Sequence, residues 1–188
     1  MTLPAPSLQL GDASVLIATR TLLRSSKLTD YLASQVTGLA GLSVTVTLPA
    51  PATVQIGTYD SWRQDVAPPA LLVQFADRPT YMPDVAGNVY HVEARITIGI
   101  LLTEADTSVI TGGDQYMASV AYANAVANCC QRWLSGSAYG GAVGVYECVI
   151  GSTGAEPAPI DLTAGTYRVS DVTLIVRYQM AQEPPEVP

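Results

Sequence analysis

The sequence predicts an α+β fold, in which two main helices pack on one face of a twisted, mostly antiparallel sheet of long strands, with an N-proximal hairpin. The first observation is the run of residues 90–103, where apolar even positions alternate with largely polar odd positions. The second is the same alternation over residues 171–180. Such a period of two is typical of a strand with one buried and one wet face. The third is a long helical stretch between the two runs, which predicts a helix packed on the apolar face.

Length and composition predict a single domain, with an extended arm at residues 1–11, an α+β core at residues 12–182 and a flexible tail at residues 183–188. The chain has 188 residues, of which 48% are hydrophobic, so it can bury a substantial core. Only 13% of the residues are charged, and such a surface is usually completed by neighbouring subunits. We therefore expect a homo-oligomer.

The charge balance argues against a protein that grips nucleic acid. The net charge is -7, and Lys27 is the only lysine. Neutralising phosphates needs a basic stripe, which the sequence lacks, although an acidic surface that DNA slides past is compatible. No apolar stretch approaches the ~20 residues of a membrane span, and the first residues do not resemble a signal peptide. We therefore expect no membrane contact and assembly in a cytoplasm.

The N-terminal third is predicted to be a helix followed by the hairpin. Asp12 is the predicted N-cap, and apolar residues recur at helical spacing up to residue 36, with an interruption near Ser25 and stops at the glycines at positions 38 and 41. Residues 42–47 and 53–57 then alternate like two strands. The connector between them carries two prolines, which exclude a central-strand ladder at that point.

The remaining elements follow from composition and periodicity. Residues 71–76 are largely apolar and predict a short strand buried on both faces, ahead of the long strand at residues 89–103. A helix is predicted from Asp114 to Leu134, with an apolar face flanked by alanines. A glycine-rich stretch at residues 139–150 alternates like a strand, and the last strand is predicted to start near Thr166.

Catalytic interpretations of this sequence are weak, and we predict that the protein is not an enzyme. His91 is the only histidine, and it shares the wet face of a strand with Glu93 and Arg95, so a solvated charged face is favoured over an acid–base pair. No serine occupies a G-x-S-x-G turn. The paired glycines at 112–113 and 140–141 lack the spacing of a phosphate-binding loop. We therefore expect no cofactor.

The cysteines do not predict a metal site or a disulfide framework. Cys129 and Cys130 are adjacent on the predicted helix, so their side chains diverge, and Cys148 lies on a separate element. Three cysteines without C-x-x-C spacing argue against zinc, and the single histidine and scattered acids argue against other metals. Reduced, partly buried thiols are the favoured interpretation.

Aromatic residues near turn-rich segments are the candidate partner-binding residues. Tyr59, Trp62 and Tyr81 lie in or near loops beside the predicted sheet, and Arg63 is adjacent to Trp62. Aromatic residues in loops are enriched at protein interfaces, although covering the edge of the core is an equally good interpretation. Trp133, near the end of the long helix, is predicted to pack.

The order of these elements resembles a known family. An N-terminal helix and proline-rich connector precede a strand ending in an aspartate turn at residues 71–77 and a long alternating strand at residues 89–103. A long helix at residues 114–134 and a long final strand at residues 166–180 complete the order. This layout resembles the tail terminator and tail-completion proteins of long-tailed bacteriophages, including the related head–tail joining proteins of the neck. The resemblance rests on element order and strand pattern, and the 42–57 hairpin departs from it.

The resemblance implies a structural virion protein of the tail or neck. Members of this family form a sixfold ring at the head-proximal end of the tail tube, where the ring stops tube growth and docks the head. The implied partners are further copies of the chain, the tail tube protein and a neck or head-completion protein, with DNA passing through the lumen without specific binding. The alternatives are a twelvefold neck connector, a tube or baseplate component, or a non-viral ligand-binding domain.

Overall fold

A seven-stranded sheet and three α-helices make up the described part of the chain. A computed structural model describes residues 11–57, 67–84, 89–103, 115–155, 160–162 and 165–181. The helices are α1 (Gly11–Leu23), α2 (Ser26–Ala40) and α3 (Gln115–Trp133). The strands are β1 (Thr53–Ile56), β2 (Ala70–Phe75), β3 (Thr80–Pro83), β4 (Val89–Thr103), β5 (Val145–Ala155), β6 (Ile160–Leu162) and β7 (Gly165–Ala181). The predicted α+β class is confirmed.

The sheet is built around β4 and β7. These two strands pair antiparallel from Val89 opposite Ala181 to Thr103 opposite Tyr167. The order across the sheet is β1-β2-β4-β7-β5, with β3 beside β4 and β6 beside β7. Among the strand pairs of the described residues, only β1–β2 is parallel, which confirms a mostly antiparallel sheet.

The alternating pattern of β4 and β7 places their apolar side chains in one core. Val92, Ile96 and Ile98 on β4 are fully buried, as are Val172 and Leu174 on β7. The helices contribute to the same cluster through residues including Leu22, Leu32 and Val126. The face of the sheet that carries these side chains is called the inner face below, and the opposite one the outer face. Within the described helices, no segment is long and apolar enough to cross a bilayer.

One end of the sheet is buried on both faces. Ala70, Leu72, Leu101, Tyr167 and Val169 form a second, smaller apolar cluster. Register places them on the outer face, because Ala70 lies opposite Leu101, which lies opposite Val169. The predicted burial on both faces is therefore confirmed for residues 71–73, whereas Gln74 and Phe75 are partly buried and Ala76 is exposed. The wet face of β4 does not extend to Leu101.

The first predicted helix is divided in two. Ser25 is the N-cap of α2, and its hydroxyl accepts a hydrogen bond from the Lys27 amide. The predicted interruption is therefore confirmed, and the core is covered by three helices instead of two. Asp12 is not an N-cap as predicted, since α1 begins at Gly11 and places Asp12 in its first turn.

The predicted N-proximal hairpin is wrong. Residues 42–47 contain only an isolated bridge at Val46, and β1 pairs in parallel with β2 instead. Val46 and Leu48 are nonetheless buried, while Leu42 is 74% exposed. The alternation of this segment therefore reports which side chains face the core, and it does not report backbone pairing. The predicted arm, apart from Gly11, and the predicted tail lie outside the described residues.

Candidate interaction surface

Tyr81 is the predicted partner-binding residue that the structure describes. It lies on β3 with 45% of its surface exposed, and its ring meets Tyr90 edge to face at a centroid distance of 6.3 Å. Its hydroxyl donates a hydrogen bond to the Asp12 carboxylate. Burial, together with this bond and the negative charge of Asp12, raises the pKa of Tyr81 to about 12. Tyr81 thus presents to solvent an aromatic ring whose hydroxyl is fixed by the hydrogen bond to Asp12.

Asp12 joins Tyr81 to the final strand of the sheet. Its other carboxylate oxygen accepts a hydrogen bond from Tyr178, which is fully buried near the end of β7. Burial, then the Asp12 contact, raises the pKa of Tyr178 well above its usual range. The helix start also lies close to β7, because a Cβ on Gly11 would come within 2.5 Å of the Met180 sulfur. The start of α1 is therefore fixed at the corner where β3, β4 and β7 meet.

A row of partly exposed side chains crosses the outer face at the same end of the sheet. Met82 on β3 pairs in register with His91 on β4, and 47% of Met82 is exposed. Tyr146 on β5 is 49% exposed, and its ring meets His91 edge to face at 6.1 Å. The Tyr146 hydroxyl lies 3.5 Å from Nδ1 of His91. We call Met82, His91 and Tyr146 the corner surface. Tyr81 pairs in register with Val92 and therefore faces the inner side at the same end of the sheet.

Sequence reasoning missed Met82 and Tyr146. Tyr146 sits at a β-bulge, where the register of β5 against β7 shifts between Val145 and Glu147. A bulge re-aims a side chain, and no local residue pattern announced this one. The available signal was the isolated aromatic residue directly after the glycine-rich segment.

A charged cluster borders the corner surface on the outer face. Arg177 on β7 donates from Nε to Glu93 at 2.9 Å and from a terminal nitrogen to Glu147 at 2.6 Å. The three residues lie side by side on neighbouring strands, because Glu93 and Glu147 both pair in register with Arg177. Glu93 therefore has an arginine as its ion-pair partner, as expected for a charged strand face. The cluster carries one positive and two negative charges.

The other predicted aromatic and basic residues divide into two groups. Tyr59, Trp62 and Arg63 lie outside the described residues. Trp133 packs against the main core as predicted, and the Lys27 ammonium lies 4.4 Å from the centre of its ring. Among the candidate partner-binding residues, the described structure therefore bears on Tyr81.

The thiols are buried, as the sequence indicated. Cys129 and Cys130 on α3 are fully buried, and Cys148 on β5 is 6% exposed. Burial is the main factor that raises the pKa of Cys129 and of Cys148 to about 12, and it raises the pKa of Cys130 well above its usual range. All three are free thiols. Within the described part of the chain, no group of three potential metal ligands comes together.

One cavity lies away from the corner surface. It encloses about 240 Å³ beside the α1–α2 junction and is lined by Leu23, Arg24, Ser25, Thr29, Ala50, Pro51, Ala52 and Val54. Ligand pockets usually hold about 300–1,000 Å³, so this cavity is small for such a role. His91 and Glu93 do not line it.

The chain matches no known protein family, and no curated protein sequence matches it significantly.

Proposed function

We propose that this protein is a structural component of a phage virion, a tail terminator whose copies form a ring at the head-proximal end of the tail tube. In this role it stops growth of the tube and joins the tail to the head. The observation that carries the proposal is the order of the elements. Two N-terminal helices and a proline-containing connector precede β2, the turn at Asp77, the long strand β4, the long helix α3 and the long strand β7.

The corner surface supports a role in protein assembly. Met82 and Tyr146 leave 47% and 49% of their surface exposed on the outer face, and Tyr81 leaves 45% exposed on the inner side of the same end of the sheet. Tyrosine and methionine are enriched at protein interfaces, and tyrosine contributes contact area at low conformational cost. The partners under this proposal are further copies of the chain, the tail tube protein and a neck or head-completion protein.

Charge supports a lumen through which DNA passes without binding. The net charge of -7 gives each copy a field that repels phosphates, and a ring multiplies that charge around its axis. Glu93 and Glu147 share a single arginine and leave the outer face with an acid excess at this cluster. Measurable DNA binding at physiological salt would contradict this part of the proposal.

Negative-stain electron microscopy of the purified chain, alone and mixed with tail tubes from its source, tests the proposal. We expect sixfold rings, or caps restricted to one end of each tube. Tube length in a polymerisation assay is a second readout, and it should shorten as the chain is added. Tyr146→Ala tests the corner surface, with Tyr116→Ala as the matched control because Tyr116 is 45% exposed on α3, away from this surface.

The possible outcomes separate the alternatives. Twelvefold rings that bind heads would assign the chain to the neck, and incorporation along the tube or at its distal end would assign it to a tube or baseplate component. Monomers that ignore tubes at every concentration would overturn the assembly role altogether.

A further inference from the structure

The sheet has two edges at which an additional strand could pair. β1 and β3 lie on the β4 side of the sheet, and β5 and β6 lie on the β7 side. An outermost strand presents unpaired N–H and C=O groups, and natural proteins usually protect such groups. The four strands differ in how far they are protected.

The β1 and β3 edges are protected. The Arg24 guanidinium donates to the Val54 carbonyl of β1 at 2.9 Å, so a side chain occupies that edge. β3 has four residues, and the Asp84 amide just after it donates to the Val89 carbonyl of β4. Because the backbone groups of successive residues point to opposite edges of a strand, those of Pro83 point away from β4. Proline has no N–H, so this position offers no donor to an incoming strand. Neither edge presents a long row of donors and acceptors.

The β5 edge carries neither a capping guanidinium nor a proline, and after a register shift between Ile150 and Ser152 its pairing with β7 is regular over residues 152–155. β5 has eleven residues without proline, lysine or arginine, whereas β6 has three residues. The only charged side chain of β5, Glu147, is bound to Arg177. In the described ranges, β5 pairs with β7 alone. Residues 151–153 are exposed, and small side chains there let another backbone approach closely.

An acidic group lies against the same part of the edge. Gly154 pairs in register with Asp171 of β7, and a Cβ on Gly154 would come within 2.9 Å of the Asp171 carboxylate. The carboxylate therefore lies over the face of β5 at Gly154, one strand in from the unpaired edge. Its negative charge is part of the net charge of -7 that the chain carries. A positively charged group on an incoming strand would complement it.

We propose that residues 152–155 of β5 form a docking site for an extended segment of a different protein, one that carries a lysine or arginine facing Asp171. Backbone hydrogen bonds to the edge would supply affinity, and the charge pair would supply selectivity. A second copy that paired through its own β5 edge is a poorer occupant, because β5 carries no lysine or arginine to face Asp171. This inference rests on the sheet edges and not on the proposed ring.

The probe is a pair of short extended peptides that differ in one charge. Each has eight residues of alternating threonine and valine, with N-methyl groups along one edge to prevent self-association, and a central lysine in one peptide is replaced by glutamate in the other. Hydrogen exchange of the full chain reports where each peptide binds. We expect saturating lysine peptide to slow exchange at residues 152–155 about tenfold while exchange in β1 and β3 is unchanged.

Variants identify the groups responsible. The lysine peptide should bind about fivefold more tightly than the glutamate peptide, and Asp171→Asn should remove that difference without abolishing binding. Successive residues of a strand point their N–H groups to opposite edges, so one of Ser152→Pro and Thr153→Pro removes a donor bonded to β7 and the other removes a donor on the unpaired edge. The variant that keeps the wild-type thermal transition is the one that has lost the donor on the unpaired edge, and it should bind neither peptide.

Three results would overturn the proposal. Unchanged exchange in β5 with saturating lysine peptide would show that the β5 edge does not accept an additional strand. Equal protection of β1 or β3 would show that the peptide does not prefer the β5 edge. Equal affinity for the two peptides in the wild-type chain would remove the charge requirement. None of these results depends on ring formation, so failure here is distinguishable from failure of the terminator proposal.

Discussion

The Tyr178 hydroxyl donates a hydrogen bond to the Asp12 carboxylate across 166 positions of sequence. The bond ties the end of the last long strand to the first turn of the first helix. Tyr81 donates to the same carboxylate from the strand β3. One acidic side chain thus holds three elements of the fold at the corner where the candidate interaction surface lies.

Removing the buried partner of Asp12 should destabilise the protein. Tyr178→Phe deletes a charge-assisted hydrogen bond in the interior, and we expect the free energy of unfolding to fall by about 1.5–3 kcal/mol. Tyr81→Phe should cost less, because Tyr81 is 45% exposed and water can replace the bond. Urea unfolding followed by circular dichroism measures both. A loss for Tyr81→Phe as large as that for Tyr178→Phe would contradict the assignment.

Stability should decline in alkaline solution. Folding raises the pKa of Tyr81 from 10.0 to about 12, chiefly through burial, and it also raises the pKa values of Tyr122 and Tyr178. The folded state therefore keeps protons that the unfolded state releases, so this stabilisation is complete below pH 10 and is lost as pH rises toward 12. Unfolding curves at intervals of pH, with tyrosinate absorbance as the titration readout, test the sign. Tyrosines that all ionise near pH 10 in the folded chain would contradict it.

Two glycines should respond to alanine in opposite directions. Gly144 has a φ of 91°, and a Cβ there would meet the Gln179 carbonyl oxygen at 2.6 Å. Gly144→Ala should therefore lower the free energy of unfolding by about 2 kcal/mol or more. Gly38, inside α2, has nothing within 4 Å of its Cβ position, so Gly38→Ala should raise it by about 0.5–1 kcal/mol. Chemical denaturation of the two variants in parallel provides each with its control.

The ion cluster on the outer face should contribute stability that depends on salt. Arg177→Met leaves Glu93 and Glu147 close together without their shared cation. We expect the midpoint of thermal unfolding to fall at low ionic strength, and the difference from wild type to shrink at high salt. Adding Glu147→Gln to Arg177→Met should recover part of the loss. A difference that is independent of salt would indicate packing by the arginine side chain instead.

The thiols should be inert until the chain unfolds. Burial raises the pKa of Cys129 and Cys148 to about 12, so the thiolate is scarce and inaccessible at neutral pH. A thiol reagent should label the native chain slowly and all three cysteines quickly in denaturant. Rapid labelling of Cys148 alone under native conditions would show that β5 opens locally.

Sequence periodicity by itself determined the fold class and the long elements of this protein. The alternation of β4 and β7 predicted their buried faces, and the fully buried Ile96, Ile98 and Leu174 confirm them. The break between α1 and α2 at Ser25 was also predictable, because a serine that caps a helix leaves a local signal. These features depend on residues close together in sequence.

Tertiary structure alone decided which strands pair and which side chains meet. The segment at residues 42–47 alternates like a strand, yet β1 takes β2 as its partner, because hydrogen-bond pairing depends on distant chain that local periodicity does not encode. The same holds for Asp12, expected as a helix cap and instead bound to Tyr81 and Tyr178. It holds also for Tyr146, which a bulge brings to His91. Contacts between residues far apart in sequence form only once the whole sheet has set its register.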